Sequence, residues 1–338
     1  MKRVYLDWNA TAPLRPEARA AMLAAMDCLG NPSSVHAEGR AAKAIVEKAR
    51  GQVAAAVGAS GADIVFTSSA TEAAALALDG QNYAGSEMEH SCVTVWTEYS
   101  AAHLKTAQQL ANNETGEIYD VKPETGFSDA VQAFGKIPYS FAWAGVERAI
   151  ISSHKFGGPK GAGALILKQG IEVEAALKGG GQELGRRSGT ENVVGIVGMG
   201  AAAEAAAKDL ADGVWQIVEQ NRNVFEERLL NEVPELIIFG KDVERLPNTS
   251  YFAVPGWKAE TQVVQMDLAG FAVSAGSACS SGKVKASRVL KAMGYDEKTA
   301  GSAIRVSIGP STTAADLDSF ADAWLKEYKR YKARQEGK

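Results

Sequence analysis

The 338-residue sequence is poor in cysteine, with three in all and no Cys-x-x-Cys pair. That excludes a disulfide framework and a thiolate zinc site, and makes a reducing cytoplasm the expected compartment. Neither sign of charge is in excess: 36 Lys and Arg against 40 Asp and Glu leave a net charge of −4. This balance argues against nucleic acid or a membrane surface as the main partner. No apolar run approaches the roughly 18 residues needed to cross a bilayer, and the densest stretch, 193–203, is diluted by glycine and alanine. Lys2 and Arg3 are followed by Asp7, Asn9 and two prolines before any apolar run can build, so no secretory leader is expected. Internal repeats and low-complexity linkers are missing as well. What remains, 46% apolar and 22% charged residues, is globular composition, with length for about two domains.

Apolar runs that end in Gly or Ser/Thr turns alternate with alanine-rich helical stretches, the pattern of an α/β fold with a mainly parallel sheet. A helix is predicted over 38–57, where Ile45, Ala49, Val53 and Val57 recur at fourfold spacing and Gly58 stops it. The run DIVFT at 63–67 reads as a buried strand, followed by the hydroxyls of Ser68, Ser69 and Thr71 and a helix over 72–78. Strands are also predicted at 148–152 and 163–168, with a glycine-rich turn holding Lys155 between them. From 192 to about 230 the chain reads as helix. Beyond Pro234, short strands at 236–239, 250–254, 271–274 and 303–308 alternate with helices near 260–268 and 314–328, a smaller α+β domain.

Three weak signals carry chemistry together. Lys155, in the segment SSHKFGGPKG, ends an apolar strand in a tight turn, where desolvation would make its amine nucleophilic toward carbonyls. Asp129, in DAVQAFGK, sits where a buried carboxylate can pair with a protonated pyridine nitrogen, and Thr71 opens a helix whose amides can hold a phosphate. Phosphate anchor, carboxylate and lysine are the groups that pyridoxal 5'-phosphate needs.

With their surroundings these segments resemble the cysteine desulfurases, a branch of the class V aminotransferase group of fold-type-I pyridoxal-phosphate enzymes. Ten ordered blocks carry the resemblance, among them LDWNATAP (6–13), GNPSSVHAEGR (30–40), FTSSATE (66–72), EHSCV (89–93), ANNETG (111–116), GGGQELGRRSGTENV (179–193), GSACSSG (276–282) and IRVSIG (304–309). The resemblance implies that Lys155 is the Schiff-base lysine, that Asp129 pairs with the pyridine nitrogen, that Gln132 bonds the ring hydroxyl and that His90 stacks on the ring and takes part in catalysis. Ala70 (through its amide), Thr71, Ser152 and His154 would hold the phosphate, and Thr190 that of the neighbouring subunit of a homodimer. Asn113 and Arg305 would bind the carboxylate of L-cysteine. Cys279, in a run of small residues that reads as an accessible loop, would take the sulfur as a persulfide, leave alanine, and pass the sulfur to an acceptor such as an iron–sulfur scaffold. The resemblance further implies a large cofactor domain over 15–232 and a small domain of 1–14 with 233–338. Cys28 and Cys92 lie among apolar neighbours and read as buried and inert.

Several positions depart from the family pattern. Trp8 stands for a small or polar residue, Phe127-Ser128 stand where a histidine is common, and Ser69 replaces a glycine, which would tighten the phosphate turn. Only 22 residues lie between His90 and Asn113 and 15 between Asn113 and Asp129, so strand and helix elements are missing there. One face of the large domain should be bared between 91 and 128, for a partner or the second subunit to cover. Rival readings are a selenocysteine lyase, a small-amino-acid aminotransferase, or a degenerate scaffold without cofactor; a transferable sulfur on Cys279 distinguishes the desulfurase.

Overall fold

The strands DIVFT, TGFSD and RAIIS are short buried runs that close on Thr, Asp or Ser. The computed structural model describes residues 3–99, 104–122, 124–276 and 286–336, so Cys279 lies outside the described residues. Seven strands form the sheet of the larger of two compact units, Thr11–Ala111 with Tyr119–Asp212. Numbered along this unit they are β1 (Asp63–Thr67), β2 (Tyr83–Gly85), β3 (Thr97–Tyr99), β4 (Lys105–Gln109), β5 (Thr125–Asp129), β6 (Arg148–Ser152) and β7 (Gly163–Leu167). Their order across the sheet is β1-β7-β6-β5-β4-β2-β3. β7 runs antiparallel to both neighbours and the other pairs are parallel, the mainly parallel sheet that the alternation predicts.

Helices α1 (Pro16–Met26), α2 (Ala37–Ala56), α3 (Ala70–Leu78), α4 (Ser91–Thr94), α5 (Phe141–Ala144) and α6 (Val193–Ala211) belong to the same unit. Glycine inside α6 has a packing reason. A Cβ on Gly200 would lie 2.7 Å from the Ala49 Cα of α2, and one on Gly198 2.6 Å from Met22 Cγ of α1, so the small residues let the helices close on one another. The alanines of α3 pack on Phe127, Ile150 and Leu165 of the sheet.

Among the described residues no helix joins β3 to β4 or β4 to β5. The region is therefore short of covering elements among the described residues, and Val95, Trp96 and Tyr99 are exposed in it, beside polar contacts between β4 and β5. Thr106 Oγ1 donates to Thr125 Oγ1 (3.2 Å), the Thr125 hydroxyl donates to Gln108 Oε1 (3.1 Å), and Gln108 Nε2 donates to the Asp120 carbonyl (2.8 Å). These polar side chains bond to each other beside an open groove of about 310 Å³ whose lining also includes Ala84, Met88, Ala107 and Tyr119.

The second unit comprises Met1–Ala10, Asn112–Ile118 and Gly213–Lys338. Its four-stranded antiparallel sheet runs in the order Ser274–Ala275, Ala303–Ser307, Thr249–Ala253, Ile237–Ile238, and Val4–Tyr5 pairs in parallel with Phe271–Ala272. This division differs from boundaries at 14 and 232 in three places, the first being residues 11–14, which belong to the larger unit. Gly213, at φ +77°, interrupts what reads as one long helix, and Val214–Glu232 belongs to this unit. It is tied there by Arg245, whose Nη1 and Nη2 donate to Glu226 Oε1 and Oε2 at 3.0 and 2.9 Å with both side chains buried. The turn 112–118 belongs here too, because the Ile118 N–H bonds Glu244 O and the Leu246 N–H bonds Gly116 O. Glu226→Ala should lower stability by about 3–5 kcal/mol, measured by denaturant unfolding. It would leave the guanidinium of Arg245 unpaired beside that of Arg222, whose pKa burial and Arg245 already lower.

Candidate active site

In parallel α/β sheets the carboxyl ends of the strands collect on one edge, where ligands bind. Here Thr67 at the end of β1, Gly163 at the start of β7 and Ser152 at the end of β6 lie side by side, and Asp129 ends β5 opposite Ile150. The Asp129 carboxyl is buried and its pKa is pushed up to about 6 by burial, against the opposing pull of the Val131 N–H and the Lys155 amine. Its Oδ1 accepts that N–H at 2.9 Å. Lys155 closes a single helical turn, Ser153–Lys155, directly after β6. Asp129 and Lys155 lie within electrostatic reach of each other.

α3 begins beside that edge. Ser69 caps it, accepting the Glu72 N–H at 3.2 Å, and its extended backbone (φ −171°, ψ 167°) is open to any residue. The expected tightening by Ser69 in place of glycine is therefore not found. Gly163 makes the approach of β7 possible instead: a Cβ there would lie 2.6 Å from the Ser69 carbonyl carbon and 2.9 Å from the Ala70 nitrogen. Ala70 and Thr71 occupy the first turn, where backbone N–H groups favour an anion. Ser152 is buried, and His154 Nδ1 is buried with no hydrogen-bond partner. Burial, then Lys155 and Lys160, lower the His154 pKa to about 4. A neutral imidazole with an orphaned nitrogen, two lysines and a helix start suit a phosphate group. Thr190 is exposed and lines a groove with Thr67, Ser68, Gly161 and Arg187.

Gln132 is buried in the turn after β5, and its Oε1 accepts from the buried Lys136 Nζ at 2.8 Å. That bond fixes which end of the amide is the oxygen. His90 caps α4, its Nδ1 accepting the Cys92 N–H at 3.2 Å. Cys92 is buried, whereas Cys28 is partly exposed, because it lies past the end of α1 and not on its packed side.

The second unit holds the other pair. Arg305 lies in the middle of Ala303–Ser307 and is buried. Its Nη1 donates to the Asn113 carbonyl at 2.6 Å and its Nη2 to Asp7 Oδ1 at 3.0 Å, while Asp7 Oδ2 accepts from the Ser274 hydroxyl at 2.8 Å. The fold thus brings Asn113 and Arg305 together, and Arg305 Nε is left buried without a partner, a donor suited to a carboxylate. Next to Asn113, buried Glu114 accepts from the hydroxyls of Tyr251 (3.1 Å) and Ser287. Burial raises the Glu114 pKa, with Ser287 and Arg305 opposing.

Asp7, Lys136, Glu114 and Cys92 were not singled out as supports from the sequence. Asp7 and Glu114 stand inside the matching blocks LDWNATAP and ANNETG, and Lys136 follows Gln132 by four residues, one helical turn. Among the described residues no cluster of His, Cys, Asp and Glu could hold a metal ion.

A family model described as aminotransferase class V matches residues 4–128 and 125–320. A cysteine desulfurase of Cereibacter sphaeroides is 36% identical, covering 95% of this chain and 95% of the relative. A cysteine desulfurase of Klebsiella pneumoniae is 37% identical, covering 94% and 91%. The first alignment spans 370 positions, more than the 338 residues of this chain, so that relative carries segments missing here. Among solved structures, a NifS-like protein from Rickettsia africae superposes with a TM-score of 0.87 at 31% identity, covering 97% of this chain and 99% of that one. SspA in complex with cysteine gives a TM-score of 0.74 at 26% identity, covering 92% and 100%.

Proposed function

Since the chain belongs to the class V aminotransferases, we infer that it is a cysteine desulfurase that uses pyridoxal 5'-phosphate, converts L-cysteine to L-alanine and loads the sulfur on Cys279. The observation that carries this reading is the buried Asp129 carboxyl in electrostatic reach of Lys155 at the carboxyl edge of the sheet. An anion-binding helix start adjoins the same edge. The cofactor, when bound, supplies an electron sink that lets the Cα proton of the substrate leave and labilises its sulfur.

The chain's own groups do the rest. Asp129 keeps a facing pyridine nitrogen protonated, and Gln132, oriented by Lys136, presents its Nε2 to the ring hydroxyl. The amides of Ala70 and Thr71, with Ser152 and His154, hold the phosphate. Exposed Thr190 supports the same task for a second copy in a homodimer. Lys155 would hold the cofactor at its carbonyl carbon until the substrate amine takes that place, and the freed Lys155 amine would then take the Cα proton. Arg305, steadied by Asp7, and Asn113 hold the substrate carboxylate. The Cys279 thiolate attacks the substrate sulfur, the new S–S bond replaces its C–S bond, and the carbon left behind takes up a proton to give alanine. The persulfide then passes to a sulfur-acceptor protein such as an iron–sulfur scaffold. A cytoplasmic setting accords with this chemistry, and no helix among the described residues is long and apolar enough to cross a membrane.

Alanine and sulfide are to be assayed from L-cysteine with wild type and Cys279→Ser. Formation of both by wild type alone supports the reading, and full activity in the variant sinks it. Arg305→Lys should raise KM for L-cysteine roughly 10- to 100-fold, because a point charge loses the paired geometry and the donor at Nε. Asp7→Asn should move KM in the same direction by less, and steady-state kinetics reads both.

A further inference from the structure

We propose that Cys92 is a positioning residue for His90, fixing its imidazole as the neutral tautomer that carries its proton on Nε2. Two contacts converge on one nitrogen: the Cys92 backbone nitrogen lies 3.2 Å from His90 Nδ1 and the Cys92 Sγ 3.0 Å from it. A backbone N–H can only donate, so Nδ1 is the acceptor and holds no proton. The hydrogen between Nδ1 and Sγ therefore belongs to sulfur, and the remaining ring proton sits on Nε2. The thiol keeps its hydrogen: burial pushes its pKa far up, Asp129 and Glu89 add to this, and the Cys92 backbone contact and Lys155 oppose.

The charged groups that act on the Cys92 thiol come from three directions. Glu89 precedes the histidine, Asp129 ends β5, and Lys155 follows β6. The Cys92 backbone N–H and thiol both donate to the same ring nitrogen, and this fixes the tautomer. A cysteine without nucleophilic use thus has a task that a buried apolar residue would not perform. The consequence for catalysis rests on the proposed function. A ring that stacks on the cofactor with Nδ1 engaged and Nε2 protonated can donate a hydrogen bond but cannot take the Cα proton, which leaves that transfer to Lys155.

The test needs no cofactor. The chain has four histidines, and in cofactor-free protein labelled with ¹⁵N-histidine the His90 signals are assigned with His90→Gln. The expected result is the Nε2–H tautomer with no titration of the ring between about pH 6 and 8. Cys92→Ala, which keeps the backbone donor but loses the thiol, should raise the proton affinity of the ring about tenfold, and Cys92→Ser should restore the wild-type titration. A wild-type ring that titrates near its ordinary value with mixed tautomers overturns the proposal whether or not Cys92→Ala folds, and so does an unchanged ring in a folded Cys92→Ala. Either failure leaves alanine formation from L-cysteine untouched, so the two readings are judged separately.

Discussion

Asp129→Asn should give a protein that is nearly inactive and yet more stable without cofactor than the wild type. The carboxyl is buried at the end of β5, and burial pushes its pKa from the usual 3.8 to about 6. A carboxyl whose pKa is higher folded than unfolded keeps its proton longer in the folded state. Stability is then lost as pH rises from about 4 to about 6, and the full cost persists above that window. With each pKa unit worth about 1.4 kcal/mol, the cost at neutral pH is roughly 3 kcal/mol. Asparagine accepts the Val131 N–H as well but carries no charge. In cofactor-free protein the variant should unfold at higher denaturant than wild type at pH 7.5 and at equal denaturant near pH 4. Without the anion that keeps a pyridine nitrogen protonated, kcat should fall by about 10²–10⁴. A variant as active as wild type would remove Asp129 from the mechanism, and equal stability at both pH values would show that the carboxyl is not strained by burial.

Lys155→Ala should abolish turnover, with a loss of at least about 10³-fold, because in the proposed mechanism the same amine first carries the cofactor and then moves the substrate proton. The two roles separate by measurement. In wild type, borohydride should fix the cofactor to the peptide that contains Lys155; in the variant no peptide should be labelled, although the phosphate contacts at the start of α3 still retain some cofactor. If borohydride labels another lysine, such as Lys160, the assignment of Lys155 fails. Residual turnover restored by a small added amine would confirm that the lost group is the amine itself and not the packing of the turn.

Much of this was legible in the residues. DIVFT and RAIIS form strands with the predicted limits, 63–67 and 148–152, because each is a buried apolar run closed by a hydroxyl residue. The helix over 38–57 shifts by one residue, since His36 caps it through its ring nitrogen, a less familiar cap than Ser or Asp. The division of the chain was less legible. Helical periodicity runs on through Gly213, and only the pairing of Arg245 with Glu226 and the bonds of the 112–118 turn show where these segments belong. These are contacts between residues far apart in sequence, which no local pattern records. The shortened region was legible as missing length, but the bonds among Thr106, Gln108 and Thr125 were not, since they form only when β4 and β5 lie side by side. The candidate site residues were readable as types in motifs. Their supports, Asp7 under Arg305, Lys136 behind Gln132 and Cys92 on His90, came from geometry.

The most direct test is mass spectrometry of the protein after one turnover with L-cysteine in the absence of a reductant or acceptor. The account predicts one added sulfur atom on the peptide that contains Cys279, in equal amount to the alanine released, with none on Cys28 or Cys92. Alanine released without sulfur on Cys279, or no alanine from a protein loaded with pyridoxal 5'-phosphate, would contradict it.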